Sequence, residues 1–67
     1  MTETMKIWLK ELYENEAKDH LETARFEHLC ALGAMGGEAS MLHEMNADEH
    51  RAFANMLTDM ANNIKEE

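Results

Sequence analysis

Histidine and glutamate are the residues of this chain whose types suit metal binding. Four histidines accompany fourteen acidic residues, and carboxylate-rich helical bundles hold metal ions through paired Glu and Glu-x-x-His motifs. No Glu-x-x-His occurs, and the nearest Glu and His residues are adjacent, which places them about 100° apart on a helix. We expect hydrogen bonds rather than a metal or other cofactor. The best candidate cluster needs two helices and consists of Glu16, His20, Glu49 and His50.

Residues for nucleophilic catalysis are scarce. Cys30 is the one cysteine, and its nearest histidine, His28, projects about 200° away around a helix. Ser40 is the one serine, and the glycine-rich segment follows no strand, as a phosphate-binding loop would require. The sequence therefore predicts a protein that is not an enzyme.

The charge balance limits the ligands that the surface can bind. Fourteen acidic residues against six basic ones give a net charge of -8, which disfavours direct binding to nucleic acid or to an anionic membrane. Charges recur every few residues near the N-terminus, so neither a signal peptide nor a membrane span is predicted. A single cysteine cannot form an internal disulfide. We expect a cytoplasmic protein.

The composition predicts one all-α domain over residues 1–67. Proline and valine are absent, while alanine and methionine are abundant. The pattern predicts helices at about 3–32 and 38–65, separated by a turn from Gly33 to Gly37 that contains three glycines. Helices of matched length joined by such a turn form an antiparallel hairpin. In that hairpin, residues whose numbers add to about 70 should face each other.

The larger apolar residues of the second helix recur at helical spacing and predict its buried stripe. An alternative follows from Asn46 and Glu49, which have the spacing of a capping box and would start a new helix in a monomeric three-helix bundle. The unbroken rotation of the stripe favours one continuous helix. The stripe consists of Leu42, Met45, Phe53, Met56, Met60 and Ile64.

A second seam at heptad spacing predicts self-association. Small residues and larger ones alternate along the second helix on a face separate from the buried stripe. Two helices of this length bury too little surface to be stable alone, so a homodimer that forms a four-helix bundle is expected. The predicted dimer interface contains Trp8, Phe26, Cys30, Ala47, His50, Ala54, Leu57 and Ala61.

The remaining surface suggests contact with a protein partner. Met35 and Met41 fall outside the buried stripe, and methionine suits adaptable binding surfaces. The leading hypothesis is a non-enzymatic protein that acts through self-association and protein binding, of the kind that phages and mobile elements encode as inhibitors or adaptors. A metal-binding bundle is one alternative. An acidic mimic that blocks a basic nucleic-acid-binding protein is another, with Glu44, Asp48 and Asp59 as its carboxylates.

Overall fold

Two helices packed against each other make up the computed structural model, which describes residues 2–64. Helix α1 spans Glu3–Gly33 and helix α2 spans Gly37–Asn62, and there is no strand between residues 2 and 64. The predicted all-α hairpin and its turn are therefore confirmed. The break at Asn46 is wrong, because α2 runs through it without interruption. The second helix ends at Asn62, earlier than the predicted residue 65, since Asn63 is its C-cap.

Capping and a long run without helix breakers define α1. The Thr2 hydroxyl accepts a hydrogen bond from the Met5 amide at 3.2 Å, and Glu3 places a negative charge at the positive end of the helix dipole. At the other end, the Ala34 amide donates to the Cys30 carbonyl at 2.9 Å. The ends of α1 thus satisfy part of the backbone hydrogen bonding that every helix terminus leaves open.

The turn depends on backbone conformations that favour glycine. Gly36 has φ 91° and ψ -176°, and Gly37 has φ 82°. Met35 also lies in the left-handed region, at φ 58°, which is uncommon for a residue with a side chain. Three consecutive positive φ angles reverse the chain within a few residues and bring α2 back along α1.

The core between the helices consists of alanine alone. Every described residue classed as buried is an alanine, and in each helix these alanines recur every seven residues. A seven-residue repeat keeps one narrow seam facing a partner helix. Because alanine is small, the two helices can approach each other closely along this seam. This alanine seam contains Ala17, Ala24, Ala31, Ala47, Ala54 and Ala61.

Contacts across the alanine seam confirm the predicted register. The hydroxyl of Ser40 donates to the Ala31 carbonyl at 2.9 Å. Side chains meet in the pair His20 and His50 and in the pair Glu27 and His43, whose residue numbers add to 70 in both cases. The two helices therefore face each other at the positions predicted by counting residues outward from the turn.

The face of α2 that packs on α1 differs from the prediction. Phe53 and Met56 of the predicted buried stripe are each 49% exposed, whereas Ala47, Ala54 and Ala61 are 0%, 1% and 1% exposed. These three alanines were predicted to contact a second copy, and that assignment is wrong because α1 already covers them. The larger apolar residues were expected to be buried between the helices. Small side chains are buried instead, because they let the helices approach more closely than large ones would.

The two flanks of the hairpin differ in character. His28 and Glu44 meet on one flank, so positions in register with them, such as Leu21 and Arg51, share that polar flank. Positions one residue before each seam alanine, such as Phe53, point to the opposite flank. Apolar side chains of both helices lie on this side, with Glu16 and Glu49 between them, and we call this surface the apolar face. It contains Met5, Leu9, Leu12, Phe26, Cys30, Leu42, Phe53, Met56 and Met60.

Enlarging one seam alanine should separate the helices. We expect Ala47→Leu to lower the free energy of unfolding by about 1–3 kcal/mol, since overpacked contacts force shifts of side chains and backbone. Ala52→Leu is the matched control, because Ala52 lies on the exposed side of the same helix. Urea unfolding at fixed protein concentration measures both variants. An Ala47→Leu protein as stable as the control would contradict the alanine seam.

The turn glycines offer a paired test of backbone strain. Gly36→Ala should destabilise the hairpin by about 1–3 kcal/mol, because φ 91° is strained for any residue with a Cβ. Gly33→Ala should instead stabilise it by up to about 1 kcal/mol, since Gly33 is helical and nothing lies within 4 Å of an added Cβ. Thermal unfolding followed by circular dichroism separates the two effects. Equal changes in the stability of both variants would contradict the positive φ angle of Gly36 in the turn.

Candidate functional site

Polar side chains meet across the middle and the turn end of the hairpin, beside the alanine seam. Each contact joins a histidine of one helix to a histidine or glutamate of the other. Small alanines bring the backbones close enough for these side chains to reach each other directly. The described part of the chain leaves no buried side-chain nitrogen or oxygen without a hydrogen-bond partner, as expected where polar groups lie beside a core.

His20 and His50 form the central contact. Their Nδ1 atoms lie 2.9 Å apart, and both rings are partly buried. The ring centroids are 5.1 Å apart, and the Phe53 ring stacks on His20 at a centroid distance of 5.5 Å. One imidazole must donate its Nδ1 proton and the other must accept it, since a neutral ring has one donor and one acceptor nitrogen. Two neutral rings can therefore form this contact only as different tautomers.

Two histidine–glutamate contacts follow towards the turn. The His43 Nδ1 lies 2.5 Å from a Glu27 carboxylate oxygen, and the His28 Nδ1 lies 2.6 Å from Glu44. An ionised carboxylate only accepts, so each imidazole must carry its proton on Nδ1 and donate it. The Glu27 side chain is 19% exposed and that of Glu44 is 42% exposed, which makes the Glu27 contact the better shielded of the two.

The candidate metal cluster is assembled only in part. The structure brings His20 and His50 together across the helices, as predicted, while Glu16 and Glu49 are exposed. Within residues 2–64, no group of three His, Cys, Asp or Glu side chains is placed to hold one metal ion. The four-residue cluster is therefore reduced to a pair of imidazoles.

Residues predicted to contact a partner converge near the turn. Met41, Glu44 and Asp48 lie on one side of α2 and line a shallow groove together with Gly36 and Gly37. Two of the carboxylates already have partners in the hairpin: Glu44 accepts from His28, and Asp48 accepts from Arg51 at 2.8 Å.

Two further partner candidates lie outside that groove. Met35 occupies the tip of the turn and is 93% exposed, which leaves its whole side chain accessible to a partner. Asp59 is exposed near the far end of α2 and does not line the groove. The acidic residues predicted for a nucleic-acid mimic thus do not form one continuous cluster.

The other residues of the predicted dimer interface occupy different environments. Trp8 and Phe26 are 63% and 65% exposed, so their large apolar side chains are free for contact. Cys30 is a free cysteine of intermediate burial. Leu57 is half-buried, and it shares a heptad position with His50 beside the alanine seam.

Sequence reasoning missed the two histidine–glutamate contacts. The heptad repeat indicated these contacts. His43 and His50 share one heptad position on α2, and His20 and Glu27 share one heptad position on α1. Combining that repeat with the predicted register places Glu27 opposite His43. Among polar pairs, this register was applied only to His20 with Glu49 and His50.

Within the described residues, neither helix combines the length and apolar character that a membrane span requires. No protein-family model, curated protein or solved structure matches the chain.

The shielded histidine–glutamate contact should contribute measurable stability. A double-mutant cycle with Glu27→Ala and His43→Ala is expected to give a coupling of about 1 kcal/mol, typical of a partly buried hydrogen bond. The control cycle uses Asp48 and Arg51, an exposed pair three residues apart on one helix, for which about 0.2–0.5 kcal/mol is expected. Denaturant titration at neutral pH provides all the required free energies. A Glu27–His43 coupling indistinguishable from zero would contradict this contact.

Proposed function

We propose that this chain is a non-enzymatic helical module that pairs with a second copy through its apolar face. Two hairpins packed in this way form a four-helix bundle. The outward surfaces of that bundle, including the turn-end groove, then remain available to a protein partner.

The extent of exposed surface supports self-association. The chain exposes 5122 Å², whereas a compact monomer of its mass of 7.7 kDa is expected to expose about 4,300 Å². The difference is roughly the 800 Å² that one partner contributes to a standard protein–protein interface. The hairpin is also 50 Å long between Cα atoms, so a second hairpin could pack along its full length.

The identity of the exposed residues also supports it. Large apolar side chains such as Leu42, Phe53 and Met56 are about half exposed or more, and contiguous apolar patches on soluble proteins mark interaction surfaces. Among residues 2–64, every buried residue is an alanine, and alanine buries little apolar area. Ordering a chain costs about 1.5 kcal/mol per residue, so the hairpin needs the additional burial that a second copy would supply.

Contact with a further protein is the second part of this proposal. The groove beside Gly36 and Gly37 combines the apolar Met41 with the carboxylates of Glu44 and Asp48. Such a surface fits a segment that presents an apolar side chain next to lysine or arginine. The small size and net charge of -8 suit an inhibitor or adaptor of the kind carried by phages and mobile elements.

A glutamate introduced on one side of the hairpin at a time tests whether the dimer forms through the apolar face or through the polar flank. Met56 and Leu21 are similarly exposed, at 49% and 47%, but they lie on opposite sides of the hairpin. We expect the natural chain to sediment at twice 7.7 kDa. Met56→Glu should raise the dimer dissociation constant at least tenfold, because burying an unpaired carboxylate is costly, and Leu21→Glu should leave it within about threefold.

Sedimentation equilibrium at micromolar concentrations measures these constants, with circular dichroism as a check on folding. A folded monomer for the natural chain would overturn the proposal. Equal weakening by both substitutions would place the contact elsewhere than on the apolar face.

A further inference from the structure

We propose that His20 and His50 form a two-histidine site for a divalent transition-metal ion that prefers square-planar or octahedral coordination, such as Ni²⁺ or Cu²⁺. The ion would link α1 to α2 near the middle of the hairpin. This site goes beyond the proposed self-association and does not depend on it, because both ligands belong to one chain.

The chemistry of the pair differs from that of the other histidines. His28 and His43 each contact a carboxylate, which needs their Nδ1 proton. At the pair, two Nδ1 atoms face each other at 2.9 Å, and imidazole nitrogen is a preferred ligand of nickel, copper and zinc. The pair can thus offer two lone pairs to a cation, whereas the other two contacts cannot.

The distance between the nitrogens selects the coordination geometry. With metal–nitrogen bonds of about 2.0–2.1 Å, two ligands at right angles lie about 2.9 Å apart, whereas tetrahedral ligands lie about 3.3–3.4 Å apart. The separation of 2.9 Å corresponds to neighbouring ligands in a square-planar or octahedral complex. Nickel and copper in their divalent states favour those geometries, whereas structural zinc favours a tetrahedron.

Binding requires a change of tautomer rather than net loss of a proton. In the hydrogen-bonded pair, one ring holds its proton on Nδ1. When that proton moves to Nε2 of the same ring, both Nδ1 lone pairs can point at the ion. Since no third His, Cys, Asp or Glu among residues 2–64 joins the pair, water completes the coordination.

The surroundings favour a cation and a fixed geometry. The net charge of -8 raises the local concentration of divalent ions. Both ligands project from helices, which hold metal ligands more accurately than loops do, and Phe53 packs against the His20 ring. A metal ion that binds the folded hairpin but not the unfolded chain stabilises the hairpin.

Titration with NiCl₂ and ZnCl₂ tests the site. We expect Ni²⁺ to bind the natural chain at one ion per chain, to raise its melting temperature, and to bind more tightly than Zn²⁺. His20→Gln and His50→Gln should each weaken Ni²⁺ binding at least tenfold, in line with the effect of disturbing a metal site. His28→Gln is the matched control and should bind Ni²⁺ as the natural chain does.

Two readouts keep the test decisive if a variant folds poorly. Calorimetry gives the affinities, and the melting temperature of the natural chain with Ni²⁺, before and after chelation, needs no substitution. An unchanged melting temperature would mean that the pair is a hydrogen bond only and would overturn the proposal. Tighter binding of Zn²⁺ than of Ni²⁺, or equal loss of Ni²⁺ binding in His28→Gln, would overturn it as well.

Discussion

The two helices pack against each other along a line of alanines, and both the polar contacts and the exposed apolar face follow from this packing. Alanine has the smallest side chain with a Cβ, so a seven-residue alanine repeat on both helices lets the two backbones approach each other closely. The contact places polar side chains of the two helices within hydrogen-bonding distance. It also leaves nearly every large apolar residue outside the hairpin, because a narrow seam has no room for them.

These two consequences connect the candidate site with the proposed function. The imidazole pair at His20 and His50 exists because the flanking alanines bring the helices together, and its geometry therefore depends on the same seam. The apolar face exists because the alanine seam leaves the larger apolar side chains outside the contact between the helices. In this arrangement α1 and α2 are aligned by specific contacts, but the hairpin buries little apolar area. Pairing with a second copy would supply the missing burial.

The sequence was sufficient to predict the helices, the turn and the register. The three closely spaced glycines identified the turn, and the pairing of His20 with His50 followed from counting residues outward from it. The face of α2 that packs on α1 was not predicted, since the stripe containing Phe53 and the seam containing Ala54 are both periodic. Periodicity alone does not decide which of two neighbouring stripes a partner helix covers. That choice depends on the distance between the helices, which only the matching alanine repeat on α1 could indicate.

Small-angle X-ray scattering can distinguish a side-by-side pair of hairpins from a single hairpin, because it measures mass and length in one experiment. A single hairpin has a mass of 7.7 kDa and is 50 Å long between Cα atoms. If two hairpins pair side by side through the apolar face, the mass should double while the longest dimension stays close to that of one hairpin. Side-by-side pairing would be contradicted by a particle of 7.7 kDa. It would also be contradicted by a doubled mass with nearly doubled length.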